Sequence, residues 1–200
     1  MNSTAVLSPA APDGATAAGG AAIWRIDPAH SHVEFAVRHL MVAKVKGRFA
    51  EVEGTLTFDE AAPAGSFADV RVAAASVDTH EAQRDAHLRS ADFLDAERHP
   101  YLTFTSRRIE PGADGAFVAY GDLTVRGVTR EVALEGEFLG TSRSPFGFLV
   151  AGFSARTTIN RKDYGLNWNA ALETGGVLVG DEVRITLEVE AVQQPAQPAA

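Results

Sequence analysis

His30-Ser31-His32 sets two imidazoles two residues apart, which places them on one side of an extended chain. Such a pair can begin a zinc or iron site, with His39, His80 or His87 completing it. No third ligand or carboxylate stands at a fixed spacing from the pair, and hydrogen-bonding histidines at a strand start are the competing reading. No metal is assigned. Ser31 beside His32, or Ser90 near His87, offers a nucleophile and a base. Neither serine sits in a G-x-S-x-G elbow, and no Walker or Rossmann glycine pattern is present. Gly175-Gly176 suits a hairpin turn better than a phosphate cradle. No catalytic residue and no cofactor are therefore assigned.

Two polar groups lie next to apolar ones. Arg84, Asp85 and His87 adjoin Leu88 and Phe93. They either hydrogen-bond the polar head of a mostly apolar ligand or form salt bridges that anchor a helix. In Asn160-Arg161-Lys162-Asp163-Tyr164-Gly165 the Asn and Gly suit a turn with positive φ. Arg161 and Tyr164 there either cap a ligand or brace the loop. Trp168 reads as core or cavity wall.

The composition narrows the functions these groups can serve. Two hundred residues fit one domain, and 46% hydrophobic residues support a real core. With 18 basic against 26 acidic residues the formal net charge is -8, which argues against nucleic-acid binding. It also disfavours docking on anionic membranes. Cysteine is absent, so disulfides and thiolate sites are excluded. Residues 1–22 and 192–200 read as flexible, low-complexity tails. The first has no basic n-region and no apolar run long enough for a secretory signal. No run approaches the ~18 residues of a transmembrane helix. A soluble, cytoplasmic chain without membrane insertion is the expectation.

Alternation dominates the elements that must position the candidates. Val33, Phe35 and Val37 share one face, and so do Ala50, Val52, Gly54, Leu56 and Phe58. Val70/Val72/Ala74, then Phe117 to Val125, Val132 to Phe138 and Val183 to Val189 repeat the period. Phe148, Val150, Gly152 and Ser154 read as one more apolar face. Pro-Gly and Asp-Gly at 111–115, Arg126-Gly127 and Ser144-Pro145 mark hairpins. Between the strands, Asp78 and Glu81 resemble a capping box for a helix starting near Thr79. Ser90 can restart a turn through Ala96, and Pro100 ends the excursion. About eight strands with short turns predict an antiparallel up-and-down barrel with one helical insertion, and a two-sheet sandwich is the alternative. Large inward residues mixed with small ones (Gly54, Gly121, Gly152) suggest room inside, although the same mixture also fills a tapering barrel.

Five ordered blocks go further: WRIDPAHSHVEFAVRHL (24–40), RDAHLRSADFLDAERHPYLTF (84–104), GDLTVRGVTREVAL (121–134), INRKDYGLNW (159–168) and VGDEVRITLEVE (179–190). Together they resemble the YceI-like family, the lipocalin-like polyisoprenoid-binding proteins, over residues 23–191. The resemblance implies an all-β fold, a lipocalin-like antiparallel eight-stranded barrel with a short helical insertion around a long apolar pocket. It implies binding of a long-chain isoprenoid or fatty-acid-like ligand, frequent homodimers and no enzymatic activity. A His-based metal-dependent enzyme and a solidly packed interaction module remain the alternatives. The expected pocket wall comprises Phe35, Val37, Phe49, Phe58, Leu88, Phe93, Phe104, Phe148, Phe153 and Trp168. Its polar mouth comprises Arg84, Asp85, His87, Asn160, Arg161 and Tyr164, with His39 beside them.

Overall fold

The computed structural model describes residues 21–40, 42–171 and 177–195. The two tail segments lie largely outside these residues, as does the Gly175-Gly176 turn. Eleven strand segments follow one another: β1 Ala22–Ile26, β2 His32–His39, β3 Ala43–Phe49, β4 Val52–Phe58, β5 Phe67–Ala73, β6 Val77–Asp78, β7 Tyr101–Pro111, β8 Ala116–Val125, β9 Val128–Arg143, β10 Leu149–Asn160 and β11 Val179–Gln193. One α-helix, α1 (Ala82–Arg89), lies between β6 and β7.

The segments close an eight-stranded antiparallel barrel. Its order is β1-β4-β5-β7-β8-β9-β10-β11, and β11 pairs back onto β1. β1 and β2 act as one bent strand along β11, with Ile26 opposite Ala191 and His32 opposite Glu188. β3 and β4 bend in parallel, β3 pairing with β2 and β4 with β1. Each strand therefore lies beside its sequence neighbour, which is the up-and-down arrangement predicted from the short turns. Arg126 and Gly127 both have positive φ, as a two-residue primed turn requires between β8 and β9.

Two local expectations are corrected. The helix does not start near Thr79. His80 has φ 61, which breaks the helical path, and Asp78 accepts the His80 amide and pairs with Arg48 rather than capping the helix. Glu81 is the N-cap instead, accepting from the Gln83 and Arg84 amides at 3.1 and 2.6 Å. The inward face of β10 is also not Phe148, Val150 and Gly152. The β9–β10 register shifts between Gly152 and Phe153, where Gly152 pairs with Gly140 but Phe153 with Phe138. Leu139 is the extra residue of a β-bulge in β9, whereas β10 keeps an unbroken register with β11, with Ala151 buried and Phe153, Ala155, Thr157 and Ile159 lining the interior.

Candidate functional site

The inward faces enclose an apolar cavity of about 510 Å³ that runs the length of the barrel. That volume lies within the ~300–1,000 Å³ typical of small-molecule sites. Phe35, Val37, Phe49, Phe58, Phe104 and Phe153 line it, and Leu88 and Phe93 close it from the helical side. Aliphatic strand residues complete the wall, among them Leu102, Leu123, Leu134, Ile159, Ile185, Leu187 and Val189. The period-2 faces already contained these residues. An apolar alternating face looks the same in sequence whether it lines a cavity or packs a core.

The small inward residues do not all open space as expected. A Cβ on Gly47 would meet the Phe35 ring at 2.4 Å, and one on Gly136 would meet the Phe117 ring at 2.3 Å. These glycines admit a Phe ring from the neighbouring strand. Gly152 points to the outside, under Leu139. The free volume comes from the closed geometry of the barrel rather than from missing side chains.

Burial along the wall shows which end is open. At the helical end the lining residues Val77, Phe93, Leu94, Arg161 and Tyr164 are all buried. At the other end the lining includes the exposed residues Glu60, Phe67, Gly112, Gly115 and Ala116, on the β4–β5 and β7–β8 turns. The cavity is plugged beneath α1 and opens between those two turns.

The plug explains the polar candidates. Arg161 is 3% exposed and lines the closed end, yet its guanidinium faces protein acceptors. It donates to the carbonyls of Gly180 (2.9 Å), Trp168 (2.9 Å), Val179 (3.3 Å) and Leu166, and to Asp181 Oδ1 (3.4 Å). Burial lowers its pKa from the usual arginine value, partly countered by Asp181. Asn160 caps the following 3-10 turn (Arg161–Tyr164) by accepting the Lys162 amide. Tyr164 lines the cavity at 2% exposure, and its hydroxyl has no protein partner. Burial, reinforced by Asp163, pushes its pKa up to about 12. Ser66 Oγ, at the open end, is the other buried side-chain oxygen without a partner among the described residues.

Arg84 and Asp85 converge on Thr79. Asp85 Oδ1 accepts from the Thr79 amide and hydroxyl at 2.9 and 2.5 Å, while Arg84 donates to Thr79 Oγ1 and O at 2.7 and 2.8 Å. These bonds fasten α1 to β6 without an Arg84–Asp85 salt bridge. A second hollow of about 400 Å³ lies against the plug, lined by Arg38, His39, Arg84, His87 and Trp168. Phe35, Val37, Leu88, Phe93 and Val179 form the wall common to both hollows. The His87 ring meets Phe93 and Trp168 edge-on at 5.0 and 4.6 Å, and its Nε2 lies 2.9 Å from Asp92 Oδ2. Phe148 is outside the cavity, 57% exposed on the β9–β10 turn.

The histidine pair is not brought together with other imidazoles. His30 Nδ1 faces Asp27 (2.9 Å) and Glu190 (3.6 Å), which raise its pKa, the Asp27 hydrogen bond most of all. His32 is exposed on β2. Ser31 Oγ bridges the Glu190 backbone, donating to its carbonyl and accepting from its amide. Ser90 Oγ donates to the His87 carbonyl at the end of α1. Among the described residues both serine hydroxyls hydrogen-bond backbone groups alone.

Similarity to known proteins agrees with this architecture. The YceI-like domain matches residues 24–191. Protein YceI of Escherichia coli is 39% identical over 176 residues, 87% of this chain and 88% of its own length. Among solved structures, the Campylobacter jejuni YCEI protein superposes with a TM-score of 0.67 at 26% identity, over 95% of this chain and 100% of that one. A polyisoprenoid-binding domain from Saccharophagus degradans shares the fold, with a TM-score of 0.63 at 17% identity over 88% of this chain and 100% of its own. Strand order, helical plug and apolar interior thus coincide with a domain match over nearly the whole described barrel, and the chain belongs to the YceI-like family.

Proposed function

We propose that the protein binds and carries a single long-chain apolar molecule, a polyisoprenoid or fatty-acid-like amphiphile, in the barrel, without catalysing its conversion. The apolar cavity of about 510 Å³, closed at one end and open at the other, carries this reading. About a dozen buried methylenes gain ~10 kcal/mol at ~0.8 kcal/mol each, against association costs of ~4–15 kcal/mol. A net gain therefore requires a wall that is already formed, which a closed barrel supplies. Ser66 Oγ and Tyr164 Oη, the buried hydroxyls without protein partners, are the groups available to hydrogen-bond a ligand at either end. The ligand class named for the Saccharophagus domain is in keeping with this chemistry.

The test is native mass spectrometry of untreated protein, followed by organic extraction and identification of lipid. A bound species of long-chain mass is expected. An empty protein that also fails to take up a fluorescent long-chain fatty acid in solution would overturn the reading.

A further inference from the structure

The β9–β10 hairpin rises past β8 at the open end of the barrel, while β10 stays paired with β11 up to Val150 opposite Val192. β9 pairs with β8 only as far as Glu137 opposite Ala116, but with β10 it continues to Arg143 opposite Leu149. Beyond Phe138, whose amide still donates to Gly115 O, residues 139–143 overhang β8 by on the order of 17 Å at ~3.4 Å per residue. The tip is rigid. Ser144 N donates to Phe148 O (2.7 Å), Gly147 N to Ser144 O (2.9 Å), Phe148 N to Ser144 Oγ (3.1 Å) and Arg143 Nη1 to Gly147 O (3.1 Å). On this stiff projection Phe146 is 85% exposed, and Phe148 and Leu139 are more than half exposed. Phe67 stands exposed on the mouth itself.

The root of the hairpin is continuous with the cavity. Phe138 and Phe153 both line the open end and pack on Phe58, at 4.9 and 5.3 Å between ring centres. Apolar rings thus line the inner face at the root of the hairpin, and Leu139 covers its outer face over Gly152.

Three properties select the partner. The overhanging edge is bulged at Leu139, and Gly140 has φ 106, so it cannot template another strand. What it offers is side chains. The charged residues of segments 59–66, 112–115 and 137–148 are Asp59, Glu60, Asp114 and Glu137 against Arg143, which disfavours an anionic surface. Finally, a long-chain ligand that crossed water would lose roughly fourfold in equilibrium for every methylene exposed. Exchange is favoured where mouth and lipid phase touch.

We propose that the Phe146/Phe148 hairpin tip docks the mouth of the barrel onto an uncharged lipid bilayer, so that ligand passes between membrane and cavity without entering bulk water. This rests on the long-chain reading above. It requires shallow insertion of aromatic side chains, not a spanning segment, and no helix among the described residues is long and apolar enough to span.

The experiment is flotation of the full chain with phosphatidylcholine vesicles, comparing wild type, F146S/F148S and V42S. Val42 is a control of matched exposure, 84%, on the β2–β3 turn. The wild type and V42S should float equally at low and high salt. F146S/F148S should bind about tenfold less or weaker still, since each buried phenyl ring is worth roughly that factor. All three should take up a fluorescent long-chain fatty acid from solution equally, because neither Phe146 nor Phe148 lines the cavity. Solution uptake reports on the cavity and flotation on the tip, so the two readings fail separately. Absence of wild-type flotation, equal flotation of F146S/F148S, or a wild-type dimer lost in F146S/F148S without vesicle binding would each overturn the proposal.

Discussion

Arg161 and Tyr164 sit three residues apart at the closed end, and their chemistry differs sharply. The arginine has every donor direction used by the Leu166 and Trp168 carbonyls after β10, by the Val179 and Gly180 carbonyls at the start of β11, or by Asp181. A lysine carries the charge but lacks the fork that reaches several acceptors at once. Arg161→Lys is expected to lower unfolding free energy by ~2–4 kcal/mol in urea denaturation, because buried carbonyls lose their donors. Tyr164 is the reverse case, a buried hydroxyl without a partner. Tyr164→Phe should leave the empty protein as stable or more so, and weaken binding of a polar-headed ligand relative to a plain hydrocarbon. Its raised pKa sets a sign as well. The unfolded phenol ionises near 10 while the folded one resists to about 12. Stability from this group is complete below pH 10 and is lost as pH rises toward 12. Tyr164→Phe should flatten that alkaline loss in a pH series of melting temperatures. The sequence pattern left capping and bracing open for both residues, since a buried arginine in a turn looks the same whether its acceptors are ligand or backbone.

At the scale of elements, the alternating faces of β2, β4, β5, β8, β9 and β11 were legible because one side of each strand is apolar. The face of β10 was not. Its inward side carries Ala151, Ala155 and Thr157 beside Phe153, while Val150 and Gly152 on the other side read as just as apolar, so the alternation offers little contrast. The helix was legible as an element, but its start was not, because a left-handed His80 cannot be anticipated from residue type. The glycines carried more meaning than their size suggested. Gly136→Ala would drive a methyl into the Phe117 ring and the Ser154 carbonyl, at 2.3 and 2.6 Å. A loss of ~1–3 kcal/mol is expected by chemical denaturation, as overpacking costs in well-packed sites. Phe117→Leu in the same chain should restore part of it, which separates ring displacement from a general strand defect.

For the molecule as a whole, the barrel was readable and its polarity was not. Polar residues near the helix suggested a mouth there, yet they fasten a plug, and the opening lies at the far end between the β4–β5 and β7–β8 turns. Which end of a barrel is stoppered depends on contacts between distant segments, such as Arg126 bonding to Ala91 O and Gly165 O. Volume decides the corresponding prediction. Ala119 is buried and lines the cavity, so Ala119→Phe should exclude part of a long chain and lower its stoichiometry or affinity by at least about tenfold. Titration with fatty acids of graded length would register this as a shorter maximum chain.

The seam between β1 and β11 has a consequence in time. Trp24 pairs with Gln193 and Ile26 with Ala191, so the ring closes through residues far apart in the order of synthesis. β11 also forms the neighbour of β2 and β10. Until that strand leaves the ribosome, three others have an open edge and no interior exists. Pairing over such separation makes folding slow, on the order of milliseconds to seconds for all-β topologies. Until β11 is made the nascent barrel therefore stands as an open sheet with its oily face uncovered, and the space for a passenger appears only with that strand.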